Sequence, residues 1–479
     1  MPFPKRSLSS LVRSLLLAIV VGIAPAIVVA IAPAIVVGIA AGVGSAIFLH
    51  GLDSATAFRE THPRLLFGLP LAGLLIGWLY DRYGREITGG TTLVLARMRG
   101  DGDHARMRGD DDLARMRGDD DHARMCGDGD HARMRGDGDL AIPWSMAPAI
   151  VAATIVTHLF GGSAGREGTA VQMGGGLADT LASRMRLSPN LRRAVLASGV
   201  AGGFGAVFGT PLAGVVFAIE LFPRGTQRLA AILPCLVAAL VGDRICQSLG
   251  VTHASYRVET ITDIAAATAW GAIAGIGFGA TSFAFVMANS AITAWVNKRI
   301  ATPWLRPVFG GLALIGLTFA AGSYDYLGLS LPLIDRAFGA EGLLPLAFAI
   351  KLAFTAVTLG TGFKGGEVTP LFCIGATLGN TLASIFGQPH DLFAALGLVA
   401  VFAGAAKTPW ACVVMGIELF GITLTLPLVA ACLVSHLVSG AQGIYSHGGI
   451  YSHGGIFSHG TPSQTTDPSP GSAARDTMR

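Results

Sequence analysis

The sequence predicts an all-α polytopic membrane protein, and three observations carry this prediction. Hydrophobic residues make up 52% of the 479-residue chain and charged residues only 13%, which is about half the charged share of soluble domains. Long apolar segments recur along the chain, and a transmembrane helix needs about 20 such residues. The 65 glycines are typical of membrane helices whose backbones approach closely. A β-barrel would instead show short alternating strands.

Charge and cysteine content exclude other classes of protein. The formal net charge is +4, which is too small to indicate a nucleic-acid partner. The six cysteines have neither paired nor metal-type spacing, and five lie in apolar segments, where a free thiol behaves as a small hydrophobe. We therefore predict no metal, no cofactor, no catalytic residue and no enzymatic activity.

The N-terminus predicts a first membrane helix. Lys5, Arg6 and Arg13 flank its start, and basic residues favour the cytoplasmic side of a membrane. A cleaved signal peptide is the alternative, because a basic stretch there precedes an apolar run, but many further apolar segments follow. We predict a multi-pass protein of the cell (inner) membrane, embedded in the lipid bilayer, with its N-terminus in the cytoplasm.

The apolar segments are interrupted in a way that favours a transporter. They cover approximately residues 11–50, 64–80, 145–160, 168–183, 194–222, 228–249, 263–296, 303–322, 343–360, 367–386, 391–406 and 409–439. Glycine and proline interrupt them at SAGREGT, FGTPLAG, GFKGGEVTP and AAKTPW. Such half-helices point their positive dipole ends at an ion site near the midplane. Lys351, Lys364 and Lys407 lie at segment ends, and we expect them to snorkel to the membrane boundary.

The chain also contains two related halves. Residues 210–222 (TPLAGVVFAIELF) match residues 408–420 (TPWACVVMGIELF) at nine of thirteen positions, and residues 165–182 match residues 366–383 more weakly. The offsets of 198 and 201 residues indicate one ancient repeat. Transporters commonly contain such repeats, and their ion sites form at the repeat interface.

Three short tandem repeats are of another kind. IAPAIVV occurs twice from residue 23, GIYSHG recurs from residue 443, and a nine-residue unit, RMRGDGDHA, runs from Arg97 to Ala141. They share no composition, so slippage duplication in the gene is the simplest interpretation. We divide the chain into 1–96 (N-terminal helices and first anion loop), 97–141 (repeat insert), 142–250 (rest of the first membrane half), 251–442 (second membrane half) and 443–479 (late tyrosine repeats and a disordered tail).

The charged insert over 97–141 has two functional interpretations, calcium binding and adhesion, and one interpretation without a function. Its period matches calcium-binding β-roll repeats, but it lacks the regular apolar position that these repeats stack into a core. RGD is a weak adhesion motif, and EF-hand spacing is absent. A solvated, poorly ordered insert is the default interpretation, while a membrane-anchored calcium-binding or adhesion protein stays open as an alternative. The insert directly follows residues 89–96, so we expect it to displace the short helix there.

The stretch GGSAGREGTAVQMGG (161–175) predicts an anion site. Glycines open a turn, and an apolar helix begins near Glu167. The free amides at a helix start, together with the helix dipole, bind anions. A carboxylate there competes with an external anion for those amides, and an ionisable group at membrane depth is usually functional. Glu167 is therefore predicted to be a tethered gate; a salt bridge to Arg166 at the helix cap is the structural alternative.

Four motifs resemble those of the CLC family of chloride channels and proton-coupled anion antiporters. They occur in the family's order, as GREG at 165–168, GAVFGTPLAG at 205–214, GGEVTP at 365–370 and GIYS at 443–446. The resemblance covers residues 15–447 apart from the insert. It implies a CLC-type fold of two repeated halves with broken and tilted helices, and a homodimer with a separate pore in each subunit.

Within that family, GREGT together with GGEVTPLF looks like the bacterial fluoride/proton antiporter branch. The resemblance implies that Glu167 is the external gate, Glu367 a second proton-transfer carboxylate and Thr369 a ligand to the gate or the ion. Many chloride/proton exchangers have an inner proton glutamate where this chain has Leu221, which agrees with a proton route through Glu367. The predicted function is proton-coupled exchange of fluoride or chloride, with a passive voltage-gated-type chloride channel as the alternative.

The same resemblance implies the anion ligands. Those in the two glycine-rich motifs are Gly165, Arg166, Gly168, Gly366, Val368 and Thr369. Thr91 and Thr92 in GGTTLVLA stand at the first anion loop, where chloride members present a serine, and their hydroxyls are predicted to coordinate a halide. Their identity leaves the choice between fluoride and chloride open.

Three further residues complete the predicted site. Tyr445 is the favoured pore tyrosine, ahead of Tyr451 and Phe457, because the apolar helix ends just before it. Glu220 and Glu418 occupy equivalent positions in the two halves. This equivalence favours a structural role for both carboxylates, such as binding loop amides.

Overall fold

The structure is a computed structural model that describes residues 8–99, 142–223, 225–254, 256–259, 261–339 and 343–445. The described residues form sixteen α-helices. These are α1 Leu8–Thr61, α2 Leu69–Tyr83, α3 Gly90–Arg99, α4 Met146–Leu159, α5 Glu167–Arg184, α6 Pro189–Phe208, α7 Pro211–Leu221, α8 Thr226–Ser248, α9 Ile264–Arg299, α10 Arg306–Ala321, α11 Leu331–Ala337, α12 Ala347–Gly360, α13 Val368–Phe386, α14 His390–Ala406, α15 Pro409–Phe420 and α16 Thr425–Val438.

The helices fall into two halves of the same order, α1–α8 and α9–α16. Each half begins with its longest helix, of 54 residues in α1 and 36 in α9. The third helix of each half is short, with 10 residues in α3 and 7 in α11. The repeat predicted from the sequence is therefore a repeat of eight helices, and the segment 249–263 joins the two halves.

The helix lengths agree with a multi-pass membrane protein built partly from half-helices. Seven helical segments among the described residues are long and apolar enough to cross a bilayer. Six further apolar helices have only 10–17 residues, so they are shorter than a full span of about 20 residues. The first predicted segment, 11–50, lies within α1, which continues to Thr61. Lys5 and Arg6 lie outside the described residues.

Two predicted apolar segments are each divided into two helices. The segment 194–222 is broken between α6 and α7, where Gly209 has a left-handed φ of 73° and Pro211 begins the next helix. The segment 409–439 is broken after α15 at Gly421, whose φ is 97°. Glycine adopts these φ values without the steric cost that a Cβ brings. The first break falls at FGTPLAG, where the sequence predicts an interruption, whereas the break at Gly421 was not predicted from the sequence.

The helices within each half pack at backbone contact. A Cβ at Gly174 of α5 would collide with the carbonyl oxygen of Gly199 in α6, and a Cβ at Gly375 of α13 would collide with that of Gly397 in α14. These two pairs are equivalent in the repeat. Small residues therefore set the spacing of the four helices that carry the predicted site, as in other membrane helix interfaces.

Aromatic rings fill the space between the two halves. The rings of Phe217 (α7) and Phe402 (α14) lie 6.1 Å apart, and Phe402 contacts Phe372 (α13) edge-on at 5.5 Å. Phe372 in turn meets Phe208 at the end of α6, at 4.9 Å. Aromatic pairs at these distances contribute more stabilisation than the burial of their surface alone. They therefore hold the two halves together beside the site.

The expectation that the insert displaces the short helix is wrong. The helix α3 forms over Gly90–Arg99, and Met98, from the first repeat unit, is fully buried at its end. The chain re-enters the described part at Ile142, whose backbone amide donates to Asp179 Oδ2 at 2.6 Å. Asp179 is also paired with Arg192, at 2.7 Å. Both ends of the insert are thus anchored in the first half; residues 100–141 lie outside the described part, and the five-region division stays a prediction.

Candidate anion and proton site

Two glycine-rich loops meet where the halves are joined. One leads from α4 into α5 and the other from α12 into α13. Gly165 N donates to Gly366 O at 2.6 Å, and Gly366 N donates to Gly165 O at 2.8 Å. This antiparallel bridge links equivalent residues of the repeat, so the two halves are related there by a local twofold. It brings the N-termini of α5 and α13 together.

Glu167 begins α5, and its carboxylate lies at the N-terminus of α13. The side chain is fully buried. Its Oε2 accepts hydrogen bonds from the Thr369 amide at 3.1 Å and from the Thr369 hydroxyl, and its Oε1 lies 3.2 Å from Arg166 Nε. The carboxylate therefore occupies the position in which a helix N-terminus binds an anion.

The salt bridge considered as an alternative to the gate is also present. Arg166 contacts both the carboxylate and the second motif, because its backbone amide lies 3.3 Å from Glu167 Oε2 and 3.4 Å from Thr369 Oγ1. The ion pair and the helix-terminus contact thus coexist on one carboxylate. Gating and pairing are not exclusive in this geometry.

A small cavity of about 30 Å³ lies against this carboxylate. Arg166, Glu167 and Thr369 supply its polar wall. Its other lining residues are Phe208, Ala254, Tyr256, Leu331, Ile334, Phe372, Leu398 and Leu419. Tyr256 and Ala254 come from the segment that joins the halves, so this linker covers the site.

Glu367 is the N-cap residue of α13. A Cβ added to Gly168 would lie 3.2 Å from Glu367 Oε2 and 2.8 Å from the Cα of Gly366. Only glycine therefore fits at position 168 beside this carboxylate. Because Gly168 follows Glu167 in α5, Glu367 lies beside the residue next to the gate. Val368 and Thr369 follow it and are both buried.

Tyr445 approaches the same region from the C-terminal side. The ring contacts Phe217 edge-on at 6.2 Å, and the preceding residue is held by a hydrogen bond from Ile444 N to Ala405 O at 2.8 Å. The hydroxyl is buried without a hydrogen-bond partner among the described residues, and Glu167 and Glu367 both act on it electrostatically. Tyr451 and Phe457 lie outside the described residues.

Thr91 and Thr92 lie at the start of α3, away from the cavity. The Thr91 hydroxyl accepts a hydrogen bond from Gln172 Nε2 at 3.1 Å, and the Thr92 hydroxyl donates to Gly89 O at 2.5 Å. Neither residue lines the cavity beside Glu167. Their assignment as halide ligands stays a prediction.

Glu220 and Glu418 form a reciprocal pair of helix caps. Glu418 accepts from Leu212 N at 2.9 Å and from Ala213 N at 2.7 Å, at the start of α7. Glu220 accepts from the equivalent amides at the start of α15, those of Trp410 at 3.2 Å and Ala411 at 2.9 Å. Each half therefore caps a helix of the other, and these amides would otherwise lack partners.

The expectation that three lysines snorkel is wrong for Lys351. Its side chain is fully buried, and Nζ, which has three N–H donors, lies within hydrogen-bond distance of four oxygens, with Ser163 Oγ at 2.9 Å and Ser330 Oγ at 2.8 Å among them. Ser163 precedes the gate, whereas Ser330 precedes α11, whose Leu331 lines the cavity. Lys351 thus ties together two walls of the site, and its acceptors come from loops that lie far from it in sequence.

The other two lysines are also held. Lys364 Nζ lies 4.3 Å from the centroid of the Tyr80 ring, at a cation–π distance. Lys407 Nζ donates to Ser439 Oγ at 2.7 Å. A buried histidine that the sequence did not single out, His158, lies 2.9 Å from the carbonyl oxygen of Ala164 in the gate loop.

Comparison with known proteins agrees with this architecture. The profile of the voltage gated chloride channel family matches residues 129–440. The chloride/fluoride channel protein of Pseudomonas syringae pv. tomato is 41% identical over 413 residues, which cover 85% of this chain and 83% of that protein. The H(+)/Cl(-) exchange transporter ClcA of Vibrio parahaemolyticus is 28% identical over 306 residues, 59% of this chain and 64% of that protein.

Solved structures show the same fold. A CLC-type fluoride/proton antiporter superposes with a TM-score of 0.76 at 31% identity, covering 88% of this chain and 97% of that one. A slow cyanobacterial Cl-/H+ antiporter superposes with a TM-score of 0.70 at 19% identity, covering 87% of this chain and 96% of that one. The fold and its paired helix N-termini define a polytopic membrane protein of the CLC type. The chain belongs to the voltage gated chloride channel family, which confirms the fold class and the resemblance.

Proposed function

We propose that this protein exchanges a halide ion for protons across the membrane, with fluoride as the principal ion. The observation that carries the proposal is the buried Glu167 carboxylate bound to the first turn of α13. The relatives agree in kind, since one is named a chloride/fluoride channel protein and another an H(+)/Cl(-) exchange transporter. The 31% identical structure is that of a fluoride/proton antiporter.

The gate works by competition for one set of donors. Charged Glu167 holds the Thr369 amide and hydroxyl, so it excludes an external anion from them. Protonation removes the negative charge and turns one acceptor site into an O–H donor, and the carboxylic acid then leaves the amides to the halide. Each cycle therefore requires one proton to enter and leave Glu167 for the halide to pass.

Glu367 and Tyr445 continue the path from the gate. Glu367 lies beside Gly168, the residue that follows Glu167 in α5, and this position supports a role as the next proton acceptor after the gate. The Tyr445 hydroxyl, which has no partner among the described residues, is a donor for the halide. The amides of Gly165 and Gly366 already bond each other. These two glycines therefore join the loops, while Arg166 and Thr369 offer donors to the ion.

The proposal also covers the assembly of the protein, its membrane and its orientation. The protein acts as a homodimer with a pore in each subunit, it resides in the inner membrane, and its N-terminus is cytoplasmic. The support is family membership together with the basic residues Lys5, Arg6 and Arg13 at the N-terminus, which favour the cytoplasmic side. Cross-linking in native membranes tests the dimer, and protease protection of an N-terminal tag tests the orientation.

Flux measurements in proteoliposomes test the exchange. Fluoride and chloride efflux are recorded with and without a pH gradient, together with proton uptake. The proposal expects fluoride efflux that drives proton uptake, and it expects Glu367→Gln to lower that uptake at least about tenfold. Halide efflux without proton movement would instead identify a passive channel. Calcium binding with no transport would favour the calcium-binding or adhesion protein.

A further inference from the structure

A second, larger cavity adjoins the one at Glu167. It has a volume of about 440 Å³ and shares Phe208, Ala254 and Leu419 with the smaller cavity. Gln247, His253 and Glu418 are among its other lining residues. We call this cavity the vestibule. Because the two cavities share these residues, the vestibule lies next to the small cavity that Glu167 lines.

His253 is held in a fixed position in the vestibule. Its ring packs on the backbone of Gly209, where an added Cβ would lie within 2.9 Å of three ring and side-chain atoms. Nε2 lies 3.6 Å from Asp243 Oδ1. This nitrogen is buried and has no hydrogen-bond partner among the described residues. Nε2 of His253 therefore faces the Asp243 carboxylate but is not hydrogen-bonded to it.

The charged groups that act on His253, Asp243 and Arg166, and the vestibule residue Glu418 already have partners. Both oxygens of Asp243 accept from Gln247 Nε2, each at 2.9 Å. Glu418 caps α7, and Arg166 pairs with Glu167. His253 is the group in this set that can gain or lose a proton without breaking a hydrogen bond.

The charges that act on His253 set its titration range. Burial lowers the pKa of His253 below its ordinary value, and the positive charge of Arg166 lowers it further, while the Asp243 carboxylate opposes both. Cys246 lies near the same carboxylate on α8. A histidine is the side chain whose ordinary pKa, about 6.5, falls in the range of physiological acidification. His253 therefore gains its proton on the acid side of that value.

We propose that His253, positioned by Asp243 and Gly209, is the proton-transfer residue that loads Glu167 from the vestibule. The role rests on the proton-coupled exchange proposed above. His253, which lines the vestibule, takes a proton from vestibule water and passes it, through vestibule water and a bridging water in the small cavity that Glu167 lines, to the Glu167 carboxylate. The imidazolium becomes a neutral imidazole, and the carboxylate becomes a neutral acid. A cavity of about 30 Å³ has room for the bridging water.

The test compares His253→Gln with the wild-type protein in proteoliposomes. Proton uptake coupled to fluoride efflux is measured between about pH 5 and pH 8. We expect the wild-type rate to rise as the pH falls through the histidine range. His253→Gln should lower the rate on the acid side at least about tenfold and flatten the profile. Asp243→Asn removes the charge that opposes the lowering, so it should shift the profile to lower pH.

Two further variants separate proton transfer from charge and from folding. His253→Lys keeps a positive charge but does not exchange protons near neutral pH, so it should behave like His253→Gln; recovery of the wild-type profile in this variant would overturn the proposal. His62→Gln, an exposed histidine outside both cavities, is the matched control and should leave the profile unchanged. A wild-type pH profile in His253→Gln would also overturn it. Loss of coupling in the wild-type protein itself would instead refute the proposed exchange.

Discussion

The carboxylate of Glu167 is bound by Thr369, a residue 202 positions away in the other half of the repeat. The Thr369 amide donates at 3.1 Å, and its hydroxyl donates to the same oxygen. The Gly165–Gly366 bridge next to this contact holds the two helix starts together. The gate is thus a contact between the halves, and a change on either side acts on one carboxylate.

Glu167→Gln should abolish proton coupling. Glutamine has nearly the same shape, but it does not exchange protons, so the alternation between charged and neutral gate is lost. We expect proton uptake per fluoride to fall at least about tenfold, whether halide flux is blocked or becomes uncoupled. Simultaneous recording of pH and fluoride in proteoliposomes measures this ratio. Glu60→Gln, at a side chain that is 60% exposed, is the matched control and should keep the wild-type ratio.

Thr369→Val should slow exchange by about tenfold, because a hydrogen bond to a charged group contributes about 1.5–3 kcal/mol. Valine keeps the shape of threonine and its backbone amide, so the change isolates the hydroxyl. Thr369→Ser restores the hydroxyl and should stay within about twofold of the wild-type rate. The initial rate of fluoride efflux at fixed pH is the measurement. Equal rates in the valine and serine variants would show that the hydroxyl takes no part.

Lys351→Met should destabilise the protein. The ammonium group lies within hydrogen-bond distance of two serine hydroxyls and of the carbonyl oxygens of Tyr326 and Gly328, and each buried group left without a partner costs about 1–3 kcal/mol. We expect the apparent Tm in detergent to fall by more than about 5 °C. Lys351→Arg retains a charged donor and should lose less. Lys298→Met, at an exposed position on α9, is the control and should leave Tm unchanged. An unchanged Tm in Lys351→Met would contradict the bridging role of Lys351.

Removal of the insert should leave transport intact if the deletion respects α3. Replacing residues 100–141 by a short Gly/Ser linker keeps Met98, which is fully buried, and should preserve fluoride efflux within about twofold, because the site contacts lie elsewhere. Deleting from Arg97 also removes Met98, and we expect that variant to lose the fold of α3 and its activity. Loss of efflux in the shorter deletion would assign the insert a role in transport.

The gate glutamate was predictable because the residues that indicate it are neighbours in the sequence. Glu167 and its glycines sit in one motif, and the N-terminus of a helix is predictable from that motif alone. The repeat also predicted the equivalence of Glu220 and Glu418. Their targets, the amides of Leu212 and Trp410, were not predictable because each lies in the opposite half.

Other parts of the site were also not predictable from the sequence, because the residues that form them lie far apart in the chain. Lys351 looked like a residue at a segment end, yet its four acceptors come from two loops that only the fold brings to it. His253 lies in a linker with no motif around it, and its proposed role depends on its position in the vestibule beside Gly209. The sequence predicts that the insert displaces the short helix α3, but Val94 and Met98 are buried, and this packing keeps α3 in place as far as Arg99.

The most direct test of the account is the proton uptake that accompanies fluoride efflux from proteoliposomes containing the wild-type protein, with no pH gradient at the start. We expect an outward fluoride gradient to drive protons inwards although no pH gradient is present at the start, and we expect Glu167→Gln to remove this uptake. Fluoride efflux of normal rate with no proton uptake in the wild-type protein would contradict the account.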